Sequence, residues 1–236
     1  MFLAFVLLLV SLPDSSQEDC HCQNECTNFR GSPCTGTSCQ TGWFGSYCQK
    51  RNIALGKPTW QSSILQGYDY ASPDKAVDGN TDQRFEDESC THTDDTTSSG
   101  AEWGVNFTTT LEIRRMRIYL RDSVTERNVG LQVKVGDQLC YTLSGHQTVV
   151  NIDCGKALSG SFVNISGNIL TLCEVQIFQC SDGWFGDACD KQCQCQDRTE
   201  ICDKETGICS NGCAVGKQGP GCQLDMTECE IRKSST

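Results

Sequence analysis

Apolar and polar residues alternate in short runs through the middle of the chain, and few stretches repeat at helical spacing. In RRMRIYLR the apolar Met116, Ile118 and Leu120 fall on one side of an extended chain, with Arg115, Arg117, Tyr119 and Arg121 on the other. That pattern predicts a strand with a buried face and a charged outer face. The runs EWGVNF, VGLQVKVG, TVVNID, SFVNIS and LTLCEVQIF, separated by turn residues, read as further strands. Together they predict an antiparallel β-sandwich over residues 51-179, and an all-β protein.

The ends carry a different pattern. MFLAFVLLLVSLPDSSQ opens with an apolar run from Phe2 to Val10, followed by small and polar residues. This reads as a signal peptide over 1-17, although its start lacks Lys or Arg. The run falls short of the ~20 residues that a bilayer core requires. No later segment reaches that length, so the expected product is secreted, extracellular and without membrane insertion. Two sequons, Asn106-Phe107-Thr108 and Asn164-Ile165-Ser166, are compatible with export and with a glycoprotein.

Composition changes the picture of how the ends are held. The chain has 236 residues with 19 Cys, 22 Gly and 37% apolar residues, which argues against one continuous large core. Six cysteines lie in residues 20 to 48, five in 90 to 180 and eight in 189 to 229. In an exported chain these read as disulfides before metal thiolates. CQTGWFGSYC (39-48) returns as CSDGWFGDAC (180-189), an internal repeat in which paired glycines permit a tight hairpin around Trp-Phe. Cys229 leaves the count odd. It reads either as the remnant of a further repeat or as an intermolecular bridge in a homo-oligomer.

A net charge of -11 with no long Lys/Arg run excludes nucleic acid and anionic membrane surfaces as expected partners. Cations and neutral ligands stay open. DKAVDGNTDQRFEDESCTH crowds carboxylates and carbonyl-rich turns into one loop. Such a loop suits Ca2+, which takes about 6–8 oxygen ligands. On residue chemistry alone an ordinary solvated acidic loop is the simpler reading. Nothing in the chain spells a nucleophile elbow, an HExxH helix or a phosphate loop, so no enzyme activity is expected.

The cysteine-rich ends resemble EGF-like modules of the laminin and scavenger-receptor kind, placed at 18-50 and 180-225 with a tail at 226-236. That resemblance implies the pairs Cys20 to Cys26, Cys22 to Cys34 and Cys39 to Cys48 at the first end. At the second it implies Cys193 to Cys202, Cys195 to Cys209 and Cys213 to Cys222, following the Cys180 to Cys189 loop.

From Asn52 to Cys180 the chain resembles the F-type lectin (fucolectin, tachylectin-4-like) domain, whose fold is a discoidin-like, galactose-binding-like jelly roll. The landmarks are NIALGKPTWQSS, AVDGNTDQRF, SCTHT, the Val105 strand, RDSVTER and LCEVQI. The resemblance implies a structural Ca2+ held by Asp78, Asn80, Ser89 and Glu174, with the carbonyls of Lys75 and Cys173. It also implies disulfides Cys90 to Cys173 and Cys140 to Cys154. For the sugar it implies hydrogen bonds from His92, Arg121 and Arg127, with Asp122 as the acidic member and Phe85 as an apolar wall for a sugar methyl.

Three features depart from the family pattern. His92 and Arg121 are separated by 28 residues, two more than in the family, and Arg121 abuts Asp122 without the usual spacer. Ser123-Val124 stands where the family has adjacent cysteines, and Trp103 is single where the family has a pair. Two functions therefore remain in view. One is a calcium-dependent lectin for glycans with terminal fucose or a related sugar, in innate recognition or adhesion. The other is a degenerate module that binds proteins in a scavenger-receptor or adhesion role.

Overall fold

A computed structural model describes residues 21–23, 39–96 and 100–226. The expected signal peptide, Cys20, Cys26, Cys34 and Cys229 lie outside them. Described Cys22 is disulfide-bonded. Every regular element of the described residues is a strand or a short 3-10 turn. Strands β1 (Trp43–Phe44), β2 (Lys50–Asn52) and β3 (Thr59–Gln61) precede the long β4 (Ala101–Leu120). Then come β5 (Gln132–Val135), β6 (Gln138–Thr142), β7 (Val149–Gly167) and β8 (Leu172–Cys180). Their hydrogen-bonded order is β1-β2-β8-β4-β7-β5-β6, with β3 on β4.

The sequence suggested separate strands at EWGVNF and RRMRIYLR, and again at TVVNID and SFVNIS. The structure runs each pair together, as β4 and β7, which hydrogen-bond along almost their whole length. Register shifts between Asn106 and Leu111, and between Ile113 and Arg115, bend this ladder. Irregularities of that kind let one strand serve two layers of a sandwich. Beyond the bend β4 takes β8 as its second neighbour, and before it takes β3.

The fold is thus an all-β sandwich. Its core draws on both layers: Trp103, Val105, Met116, Ile118 and Leu120 from β4, Val163 and Ile165 from β7, Val175 and Ile177 from β8. The alternation in RRMRIYLR is realised, with Met116, Ile118 and Leu120 almost fully buried. Trp103 is wholly buried, and its indole N–H donates to the Pro73 carbonyl at 2.9 Å. Gly104 cannot be larger, because a Cβ there would fall 2.5 Å from the Trp60 indole.

The repeated Cys-x3-Trp-Phe-Gly segments form equivalent hairpins. β1 pairs with β2, while β9 (Trp184–Phe185) pairs with β10 (Lys191–Gln192). Gly45 has φ 94°, and a Cβ there would collide with the Gln49 side chain at 2.3 Å. β2 continues from its hairpin onto β8, so Lys50 lies opposite Cys180 and the second hairpin starts beside the first. Tyr47 packs on Trp184 with ring centroids 5.0 Å apart. A last hairpin joins β11 (Lys217–Gln218) to β12 (Leu224–Asp225).

The disulfides of the described residues join Cys39 to Cys48, Cys180 to Cys189, Cys193 to Cys202, Cys195 to Cys209 and Cys213 to Cys222 at the ends. Cys90 to Cys173 and Cys140 to Cys154 lie in the sandwich. Around Phe185 the bridged Cys195, Cys202, Cys209 and Cys222 make a small separate core.

Candidate functional site

At the end of β4 the chain leaves the sheet at Leu120, and three loops gather there. Backbone bonds hold them together: Thr91 N–H to Leu172 O, Thr93 N–H to Leu170 O, Arg121 N–H to Thr171 O and Asp122 N–H to Gln83 O. The Gln83 side-chain amide donates to both the Leu120 and the Thr148 carbonyl, closing the gap between the end of β4 and the loop residue that leads into β7. This frame places His92, Arg121, Arg127 and Phe85 in one cluster.

His92 is only 2% exposed, so it is not a free surface side chain. Its Nδ1 lies 2.6 Å from the Thr93 carbonyl, which can only accept, so Nδ1 carries the proton in the neutral ring. Nε2 is then a lone-pair acceptor, 3.4 Å from Arg127 Nη1. Burial holds the imidazole below its ordinary pKa, and Arg127 and Arg121 lower it further against the opposing Thr93 bond. The ring also packs edge-on against Phe85, centroids 5.2 Å apart.

Arg121 sits over the face of Phe85, 4.8 Å from the ring centroid. Its Nε donates to Ser123 Oγ at 2.8 Å, and Nη2 donates to Glu86 Oε1 at 2.8 Å. Arg127 is presented by the 3-10 turn Thr125–Asn128, entered through Val124 at φ 55°. A β-branched residue is strained in that left-handed region, and such strain is held only where the surroundings over-determine it.

Asp122 does not join the cluster. It is exposed, and its charge acts on Arg84, which Asp82 and Asp87 also hold protonated. The carboxylate beside Arg121 is instead Glu86, which sequence spacing does not single out. Tyr68 and Tyr70, which pack on Phe85 at 5.6 and 5.8 Å, were equally unmarked. The only hint of them was the aromatic pair in GYDYA.

The acidic loop lies against β8. Glu174 is fully buried, and its Oε2 accepts from Gly79 N–H at 3.1 Å while Oε1 accepts from Asn52 Nδ2 at 3.3 Å. Burial pushes its pKa up to about 8, and the nearby Asp78 charge raises it while both hydrogen bonds lower it. Asp78 Oδ1 accepts from Asn80 N–H at 2.8 Å. Ser89 is buried, donates to the Arg84 carbonyl at 2.8 Å, and adjoins the Cys90–Cys173 bridge that ties this loop to β8. Lys75 lies in the 3-10 turn Pro73–Val77 just before Asp78.

Among the described residues no group of three or more His, Cys, Asp or Glu converges as metal ligands. Asp78 of the loop and Glu174 of β8 offer two carboxylates, beside hydroxyl, amide and carbonyl oxygens. A buried carboxylate served only by two neutral donors is short of positive charge, so this oxygen set fits a hard divalent cation.

Residues 75–165 match the family model described as "NedA-like, galactose-binding domain". No curated protein sequence matches the chain. Solved structures with similar folds include a fucolectin from striped bass (Morone saxatilis) serum, 27% identical with TM-score 0.48. That alignment covers 54% of this chain and 47% of the lectin, so the chain spans about half the lectin's length. Two Streptococcus pneumoniae fucose binding modules are 31% and 27% identical, with TM-scores of 0.46 and 0.49. They align with 53% and 57% of this chain and with 96% and 98% of their own. Residues 75–165 are thus similar to the galactose-binding-like domains of F5/F8 type C.

Proposed function

We propose that the protein is a secreted, extracellular, calcium-dependent lectin whose sandwich binds a terminal fucose or related sugar, with EGF-like modules as spacers. The observation that carries this reading is the cluster in which His92 and Arg121 pack on the apolar Phe85 and Arg127 meets His92. Neutral His92 offers a lone pair to a sugar hydroxyl that donates. The two guanidinium forks donate to hydroxyl and ring oxygens, which charge-assisted bonds favour by roughly 1.5–3 kcal/mol each. Phe85 supplies an apolar wall for a methyl or C–H face. Binding, with no bond made or broken, is all these groups are arranged to do.

Asp78, Asn80, Ser89 and Glu174, with the carbonyls of Lys75 and Cys173, would hold Ca2+. When bound, the ion supplies the positive charge that the buried Glu174 carboxylate lacks. The Cys90–Cys173 bridge and the Ser89 hydroxyl fasten the same loop that carries Phe85 and His92, so order in one site supports the other.

The burial of His92 and the Glu86 partner on Arg121 favour a second reading, a module that binds protein partners and no sugar. Glycan-array binding by the folded protein, with and without a chelator, decides between them. Fucosylated glycans bound in calcium and lost on chelation support the lectin. Absence of sugar binding by calcium-loaded protein overturns it.

A further inference from the structure

A cleft of about 640 Å3 lies on the outer face of the β8-β4-β7 sheet, and it involves none of the residues assigned above to sugar or calcium. Its floor includes Arg117 opposite Asn151, and Arg115 opposite Asp153 and Phe178. Its walls are the two repeated hairpins, through Phe44 and Gly45 on one side and Gly186 and Asp187 on the other. Arg117 lies within β4 and Arg121 just past its end at Leu120, so roughly 13 Å of extended chain lies between these two residues of the cleft and of the His92 cluster.

The charge of this cleft is unlike that of the chain. Five Lys/Arg and four Asp/Glu line it, against 19 and 30 in the whole sequence. Arg114 and Arg115 are already neutralised, each bonded to both Asp153 and Asp187. Arg117 has no acidic partner among the described residues. Its Nε donates to Asn151 Oδ1 at 2.7 Å, which leaves both Nη groups available, and its guanidinium lies 6.0 Å from the Phe178 ring centroid. Phe178 in turn meets Phe44 edge to face, centroids 5.6 Å apart.

We propose that this cleft is a second binding site, for a short saccharide bearing one carboxylate or sulfate. A guanidinium fork with free Nη donors suits a carboxylate or sulfate. The Phe44–Phe178 pair gives the C–H face of a sugar ring an apolar wall, and Asn151 and Asp153 accept from its hydroxyls. The volume lies within the usual range for small-ligand pockets. Asp153, Asp187 and two further acids repel a polyanion, which restricts the ligand to a single anionic group. The site needs neither His92 nor calcium, so it stands apart from the lectin reading.

The test is calorimetric titration of the full chain with sialyllactose and with a monosulfated lactose, using neutral lactose as control. Expected is a preference of about tenfold or more for one or both acidic sugars, and which of them binds identifies the anion. Arg117→Ala should remove that preference, Arg117→Lys should retain part of it, and His92→Ala should leave it unchanged. A thermal melt checks each variant. If Arg117→Ala melts early, Arg117→Lys and the shift of the Asn151 side-chain amide resonances on titration take its place. No preference for acidic sugars overturns the proposal. So does a preference that survives loss of Arg117, or one that disappears in His92→Ala.

Discussion

His92 presents its unprotonated Nε2 to Arg127, 3.4 Å from Nη1, while its Nδ1 is committed to the Thr93 carbonyl. The ring is therefore fixed at both nitrogens, and a sugar hydroxyl reaching Nε2 competes with a guanidinium. His92→Ala should abolish measurable fucose binding. It should also cost about 1–3 kcal/mol of stability, because the Thr93 carbonyl and Arg127 lose a buried partner. A glycan-binding assay beside a urea melt separates the two effects; normal sugar binding by this variant would refute the assigned site.

The pH response of His92 follows from its lowered pKa. The unfolded chain takes up the proton near 6.5, before the folded chain does. The contribution of His92 to stability is therefore complete above pH 6.5 and is lost as pH falls below 6.5 towards the folded value. Urea midpoints at pH 7.5 and 5.5 should show a larger acid-side loss in the natural protein than in His92→Ala. Equal losses would mean that the ring titrates normally.

Glu86, and not Asp122, orients Arg121. Glu86→Gln should weaken sugar binding by about three- to tenfold, whereas Asp122→Asn should leave it within twofold of the original. Stability should change little in either, since exposed ion pairs contribute ~0–1 kcal/mol. Equilibrium titration with a fucosylated trisaccharide measures the difference, and a larger effect from Asp122→Asn would reverse the assignment.

Calcium removal should lower the melting temperature. At about 100 times the dissociation constant, a ligand bound only to the folded state contributes ~2.7 kcal/mol. Glu174→Gln keeps the shape, removes the carboxyl that would ionise against the cation, and should abolish the calcium-dependent shift. Calorimetry with and without chelator reads this directly. A chelator-insensitive melt in the natural protein would exclude a structural cation.

The Cys90–Cys173 bridge closes a sequence separation of 83 residues. Replacing both cysteines by serine should cost roughly 2–5 kcal/mol, and more than the equivalent change at Cys140–Cys154, which spans 14. Denaturant midpoints of the two double variants give the order.

Much of the sandwich was legible because strands have a period of two, and RRMRIYLR shows both faces within eight residues. The hairpins were legible because glycines recur at fixed offsets around Trp-Phe. The joining of separate strand runs into β4 and β7 was not, since a bend through a bulge leaves each half looking like a complete strand. Glu86, Tyr68 and Tyr70 were hidden because they meet Arg121 and Phe85 only after loops distant in sequence close together.

By itself, then, the sequence determined the all-β class, the repeated cysteine-bounded hairpins and the types of side chain available for a ligand. These are properties of local pattern and composition. Tertiary structure alone decided that His92 is buried with its Nε2 towards Arg127, that Glu86 displaces Asp122 beside Arg121, and that Arg117 has no acid among the described residues in a cleft between the hairpins. Each depends on which groups share a space after folding, and there distance and desolvation set the charge and hydrogen bonding that any ligand meets.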